Sequence, residues 1–220
     1  DVYKRQVYDN AMFIIALDYL LEMAPDSPQA SRWKSLREGI ERNVRAHLWD
    51  VKRQKFIPHI YPEKSPIPEG FDELAIHYHG GTAIAIEAGL LSKDEIRTVN
   101  AQMLENVRLS GMPSIGLTLY PVYPDGFFHG GMSKAYLYQN GGDWTWFGGR
   151  MIQQLVVNGM VEEAYAEIHP MIERVIQNDG FYEWYGKGGV PSGSGNFKGS
   201  AGVLSKAIEL LRDWAEKNKS

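Results

Sequence analysis

Two kinds of helical pattern alternate along the chain, and the alternation repeats. Residues 10–24 are apolar on nearly every side, with Ala11, Phe13, Ile14, Ile15, Leu17, Leu20 and Leu21 among them. A helix without a polar face is expected to be buried between others. Residues 28–48 differ, because Trp33, Leu36, Ile40, Val44 and Leu48 recur at helical spacing and form one stripe opposite charged residues. The same pair returns twice. A short apolar segment at 82–91 precedes a helix capped by Ser92 and striped by Ile96, Val99, Met103 and Val107. Another at 151–157 precedes a helix striped by Val161, Ala164, Ile168, Met171 and Val175. The last helix, over 200–217, is expected to be apolar on most of its surface. Long loops at 49–77, 111–137 and 177–199 separate the pairs. Pro58, Pro62, Pro66 and Pro68 exclude long helices from the first of these.

Each apolar helix is entered through an aromatic residue followed by small or polar ones. The entries are Tyr8-Asp9-Asn10, Tyr78-His79-Gly80-Gly81, Tyr138-Gln139-Asn140-Gly141-Gly142 and Phe197-Lys198-Gly199-Ser200. Repeats of two helices stack side by side, since neither helix can bury its face alone. The pattern predicts one all-α domain over 1–220 with two concentric layers, buried helices inside and half-wet helices outside. The long loops then gather at the end where the inner helices begin. The third entry continues as Asp143-Trp144-Thr145-Trp146-Phe147-Gly148-Gly149, so aromatics, an amide and a carboxylate share one short stretch. Flat apolar faces with hydrogen-bonding edges suit a sugar ring.

Composition narrows the field. A net charge of −4 without a lysine or arginine cluster argues against a nucleic-acid partner. No uninterrupted apolar run has the length of a membrane span. The absence of cysteine excludes a disulfide frame, a thiolate metal site and a cysteine nucleophile. His77 and His79 alternate, but no further residues nearby complete a metal-ligand set, so neither a metal nor a cofactor is expected. The first six residues, Asp1 to Gln6, resemble a peptide found at the broken ends of environmental sequence assemblies. They are expected to be non-native, with the true chain extending upstream.

Three of these segments resemble the six-hairpin, (α/α)6-toroid glycosidases, a superfamily that includes trehalase, processing α-glucosidase and neutral invertase. Tyr138-Gln139-Asn140-Gly141-Gly142-Asp143-Trp144 is similar to the Tyr-His-Asn-Gly-Gly-x-Trp segment of neutral invertases. Phe181-Tyr182-Glu183-Trp184-Tyr185 with the glycine-rich loop after it resembles the segment carrying the catalytic base in trehalases. Tyr8-Asp9-Asn10 resembles the segment carrying the general acid in processing glucosidases. The resemblance implies an α/α toroid of stacked helical hairpins, represented here by about seven of its twelve helices. The rest would be missing N-terminal helices of the same chain.

Hydrolysis of a glycosidic bond takes two carboxyl groups, one protonating the leaving oxygen and one activating water. The resemblance assigns Asp9 as the acid and Glu183 as the base, with Asp143 in reserve. An inverting enzyme would hold the pair about 6.5–9.5 Å apart. Each has a structural alternative: Asp9 as a helix N-cap, Glu183 as a solvated loop acid, Asp143 as a turn residue. Tyr138, Trp144, Trp146, Trp184 and Phe127 are candidate stacking surfaces for the sugar. Tyr8, Asn10, His79, Gln139 and Asn140 are candidates for the rest of the binding site. Trp33 and Trp214, on helices, are expected to pack. Two other readings stay open: a sugar epimerase or isomerase using His79 and His129, and a non-catalytic carbohydrate-binding helical module.

Overall fold

The structure is a computed structural model that describes residues 6–219; Asp1 to Arg5, the bulk of the segment expected to be non-native, lie outside the described residues. Its helices are α1 (Val7–Met23), α2 (Ala30–His47), α3 (His79–Glu87), α4 (Lys93–Ser110), α5 (Thr145–Val157), α6 (Val161–Gln177) and α7 (Lys198–Lys217). The strands are two antiparallel two-residue pairs, β1 (Trp49–Asp50) with β2 (Lys55–Phe56) and β3 (Trp184–Tyr185) with β4 (Pro191–Ser192). Helix boundaries follow local chemistry where the signal is strong. Ser92 Oγ accepts from the Glu95 amide while Glu95 Oε2 accepts from the Ser92 amide, the reciprocal cap that starts α4. Gly111, in the left-handed region, ends the same helix.

The inner layer is a row: α1 packs on α3, α3 on α5 and α5 on α7, with α2 against α1 and α6 against α5. Ile14, Ile84, Met151, Ile152, Leu155 and Leu204 link the row into one core, and Ile96, Val99 and Met103 of α4 join it from outside. The alternation of buried and half-wet helices is therefore real, and the fold is that of stacked helical hairpins.

Three local expectations need correction. Helix α1 starts at Val7 rather than residue 10, so Asp9 lies inside its first turn and is not the cap; Gln6 holds that position. A carboxylate there still gains from the helix dipole. Helices α1 and α7 are also less buried than their sequences suggest. Phe13 is 48% exposed and Met23 73%, with Tyr19 and Leu20 on the same open side. On α7 only Ser200, Val203, Leu204 and Ala207 are buried, while Ile208 and Trp214 are half exposed. Trp214, expected to pack, instead lines an apolar groove of about 820 Å³ with Tyr165, Ile172, Ile208 and Leu211. The physical reason is shared: these are the two ends of the inner row, and each has a neighbour on one side only.

Between α4 and α6, Asn100 Nδ2 donates to Glu167 Oε1 at 2.7 Å inside the core. Glu167 Oε2 and Asn100 Oδ1 are both buried without a hydrogen-bond partner among the described residues. A proton on Oε2 supplies the donor that this pair lacks. Burial, opposed by the Asn100 bond and reinforced by Glu163, pushes the Glu167 carboxyl up to about 7 from 4.5. With the folded value above the unfolded one, stability is lost as pH rises from 4.5 through 7, by up to about 3 kcal/mol. Glu167→Gln mimics the protonated acid, so thermal melts should show near-equal stability below the unfolded value of 4.5 and a higher Tm for the variant at pH 8. Parallel Tm–pH curves for the two proteins would rule out a neutral Glu167.

Candidate functional site

A cavity of about 410 Å³ opens at the end of the bundle where the inner helices begin. Tyr8, Tyr78, Tyr138 and Phe197 all line it, so the aromatic of every helix entry reaches the same space. Repetition explains this: equivalent positions in stacked repeats fall on one side of the stack. Trp146 and Phe147, from the first turn of α5, and Trp144 just before it complete the apolar wall. Tyr8 meets Phe147 edge-on at 6.2 Å, and Tyr138 meets Trp144 edge-on at 4.9 Å. The Arg150 guanidinium sits 4.9 Å over the Trp146 ring and is itself held by Glu87 at 2.6 and 2.7 Å.

Asp9 and Glu183 line this cavity, and they come from opposite ends of the sequence. Asp9 Oδ2 accepts from Gln6 Nε2 at 2.8 Å, and Tyr78 lines the same cavity. The Tyr78 phenol is pushed above its ordinary range first by burial and then by the charge of Asp9 and by Tyr8. Glu183 is placed by a loop. Its backbone amide donates to Ser194 O at 2.9 Å, and its Oε2 lies 3.5 Å from the Ser194 amide. Gly193, at φ +72°, lies so close that a Cβ there would come 2.5 Å from Glu183 Oε2. The Tyr138 phenol feels the Glu183 carboxylate: burial first, then that charge, raises the phenol's pKa.

Tyr138 is aimed by an unfavourable backbone. Its φ is +52°, a region that aromatic residues seldom occupy. The chain then turns so tightly that a Cβ on Gly142 would lie 2.1 Å from Tyr138 O. Only glycine fits there. The turn is locked from both sides: Thr118 N donates to Gly142 O at 3.0 Å, and Asp143 exchanges backbone bonds with Tyr185 at 2.9 and 2.8 Å. The second exchange brings the 181–185 segment, and Glu183 with it, beside Tyr138.

Of the residues expected at the site, Tyr8, Asp9, Tyr138, Gln139, Trp144, Trp146 and Glu183 line the cavity. The others do not. Asn140 is fully buried; its side-chain amide bonds the Tyr123 amide, Tyr123 O and Lys134 O. Asn10 Nδ2 donates to Gln6 O within the first turn of α1. Trp184 packs behind Tyr138, and Phe127 stacks on Tyr123 in a satellite cluster. His79 is buried against Asn106, and burial, then the charges of His77 and Lys55, push it down to about 3. It stays neutral near pH 7. Asp143 is fully buried and ion-paired to Arg174 at 2.8 Å, with both carboxylate oxygens accepting from Ser114 Oγ.

Gln6, Tyr78, Phe147 and Phe197 also line the cavity, beyond the residues expected there. The repeat itself carried the signal for Tyr78 and Phe197. A second feature had no signal in the sequence. Glu73 Oε1 accepts from His59 Nδ1 at 2.7 Å, from Tyr61 Oη at 2.8 Å and from Tyr123 Oη. Burial would raise the Glu73 carboxyl, but these bonds together hold it below the ordinary range.

No protein-family model matches the sequence, and no curated protein matches it. Solved structures do. The mannosylglycerate hydrolase of Thermus thermophilus, a glycoside hydrolase of family GH63, was solved in complex with glucose and with Tris and D-glycerate. The glucose complex superposes with a TM-score of 0.67 at 17% identity, over 96% of this chain and 48% of that one. The glycerate complex gives 0.64 at 18% identity, over 96% and 46%. A sialidase gives 0.62 at 12% identity, over 85% of this chain and 17% of its own. The chain thus spans about half the length of the hydrolase it resembles. Over that length it has the fold of the α/α-toroid glycoside hydrolases.

Proposed function

We propose that this chain carries the catalytic carboxyl pair of an inverting glycoside hydrolase acting on a hexopyranoside, with Asp9 as general acid and Glu183 as general base. The observation that supports this most directly is the single cavity walled by the helix-entry aromatics, with Asp9 and Glu183 both lining it. Asp9, bonded by Gln6 and sharing the cavity lining with Tyr78, would protonate the leaving oxygen. Glu183, which shares the cavity lining with Tyr138, would take the proton of a water attacking the opposite face of the anomeric carbon. Trp146 and Phe147 offer apolar faces to the ring, and Gln139 offers an amide to its hydroxyls. The fold likeness to a hydrolase solved with glucose supports a hexose in the pocket. The epimerase reading is less well supported, because neither His79 nor His129 lines the cavity.

The whole enzyme would be about twice this length, as the mannosylglycerate hydrolase is. Its remaining helices would cover the open side of α1 and the groove between α6 and α7. The test is to assay that enzyme against α- and β-linked glucosides and mannosides while proton NMR follows the anomer released first. The proposal expects hydrolysis with inverted configuration. A retained product, or no turnover of any glycoside, would overturn it.

A smaller change probes the loop that places the base. Gly193→Ala sets a Cβ at positive φ against the Glu183 carboxylate and should lower kcat/KM at least about tenfold, with little change in Tm. Gly188→Ala, at φ +70° with open space around it, carries the same backbone strain without that contact. The two variants should therefore separate in kinetics, and equal activities would remove Gly193 from the account.

A further inference from the structure

A second cavity, of about 210 Å³, adjoins the carboxylate cavity. The two share Gln6, Tyr78 and Gln139, and the smaller one is closed by Ile76, His59, Tyr123 and Phe128. Of the three shared residues, Gln6 hydrogen-bonds the Asp9 carboxyl, and Tyr78 lines the Asp9 cavity as well. The small cavity therefore opens off the acid's side of the site, where a protonated leaving group departs. Its volume equals that of about seven liquid waters, enough for a small polyol or one sugar ring.

Apart from the His59 imidazole, the described lining of this space is uncharged. Behind its wall, Glu73 binds His59, Tyr61 and Tyr123 through a single oxygen, which fixes the rings that face the cavity. Neither cavity has a lysine or arginine among its described lining residues. Lys55 is buried nearby, with its ammonium donating to Leu74 O at 2.6 Å and Ile76 O at 2.7 Å. The carboxylate of Glu73 stands behind this lining and that of Glu183 in the adjoining cavity, while Asp9, as the general acid, carries a proton.

Building on the glycosidase reading, we propose that the small cavity is the leaving-group subsite and that Glu73, through His59 and Tyr123, makes it select neutral hydroxylated leaving groups over anionic ones. A unit negative charge placed there meets fixed carboxylates at low dielectric, a penalty of about tenfold or more in affinity for each close neighbour. Neutral hydroxyls instead find the phenol of Tyr123, the imidazole of His59 and the amide of Gln139.

The experiment offers the intact enzyme three glycosides, each made with glucose and with mannose. One carries propane-1,2-diol, one carries lactate, and one is the glycosyl fluoride, whose leaving group is too small to fill the subsite. Wild type should favour the diol glycoside over the lactate glycoside by at least about tenfold in kcat/KM. Glu73→Gln, which removes charge and keeps an acceptor, should shrink that ratio severalfold. Met132→Lys, which adds a cation to the lining, should raise turnover of the lactate glycoside by about tenfold. A ratio near one, a preference for lactate, or a ratio unmoved in folded Glu73→Gln and Met132→Lys proteins would overturn the subsite. Turnover of the fluoride alongside such a result would leave the glycosidase reading standing. No turnover of the fluoride would instead sink the glycosidase reading itself.

Discussion

Glu183→Gln in the intact enzyme is expected to cut kcat by about 10²–10⁴-fold on every glycoside, with substrate binding retained. The amide keeps the shape of the side chain and can still meet the Tyr138 phenol, but it cannot accept a proton from water. Asp9→Asn should behave differently. It removes the proton that an alkoxide leaving group needs, so natural glycosides should lose a comparable factor. A dinitrophenyl glycoside, whose leaving group departs as a stable anion, should lose far less. The contrast between the two substrates assigns the roles, because a missing base slows both and a missing acid slows one. Equal losses of Asp9→Asn on both substrates would remove it as the acid. Unchanged turnover by Glu183→Gln would remove Glu183 as the base.

Asp143→Asn is expected to unfold the loops around the site instead of silencing an intact one. Asp143 is 0% exposed and Arg174 5%, and their atoms lie 2.8 Å apart. The guanidinium also donates to Thr145 Oγ1 at 2.6 Å, to Ser114 Oγ at 3.3 Å, and lies 4.1 Å over the Tyr185 ring. These contacts tie α6 to the loop that enters α5 and to the strand that follows Glu183. Removing one partner of a buried pair leaves an uncompensated charge, at a cost of about 3–5 kcal/mol. For a chain of this size that is a fall in Tm on the order of 10 °C. Arg174→Met should cost a similar amount, since it strands Asp143. The double variant Asp143→Leu/Arg174→Met should recover part of the loss, because neither charge remains. An Asp143→Asn protein with normal Tm and no activity would return Asp143 to the catalytic candidates.

Much of the plan of this protein is legible in one dimension. The spacing of Ile96, Val99 and Met103 forecasts the buried face of α4, and Ser92 with Glu95 marks its first turn. The recurrence of an aromatic at positions 8, 78, 138 and 197 forecasts a common end of the bundle, and those side chains line one cavity. The sequence is least informative where the role of a polar side chain depends on distant backbone. Asn140 and Asp143 sit in the most ligand-like stretch of the chain, yet one is used by the 123–134 loop and the other by Arg174. Glu73 offers the opposite case: a single acid in an irregular proline-rich region turns out to organise three rings.

The stretch at 138–149 shows where the division lies. Its glycines and aromatics by themselves determine a tight turn into a buried helix, because sterics at Gly142 and the apolar pattern of α5 are local. Its place as the wall of a pocket is decided only in three dimensions. The backbone exchange of Asp143 with Tyr185 brings Glu183 to Tyr138, and the stacking of α1 on α3 and α3 on α5 joins Asp9 to the same cavity. Asp9 and Glu183 are 174 residues apart in the chain. No periodicity relates them, because side-chain periodicity records which face of an element is buried and not which loops meet above it.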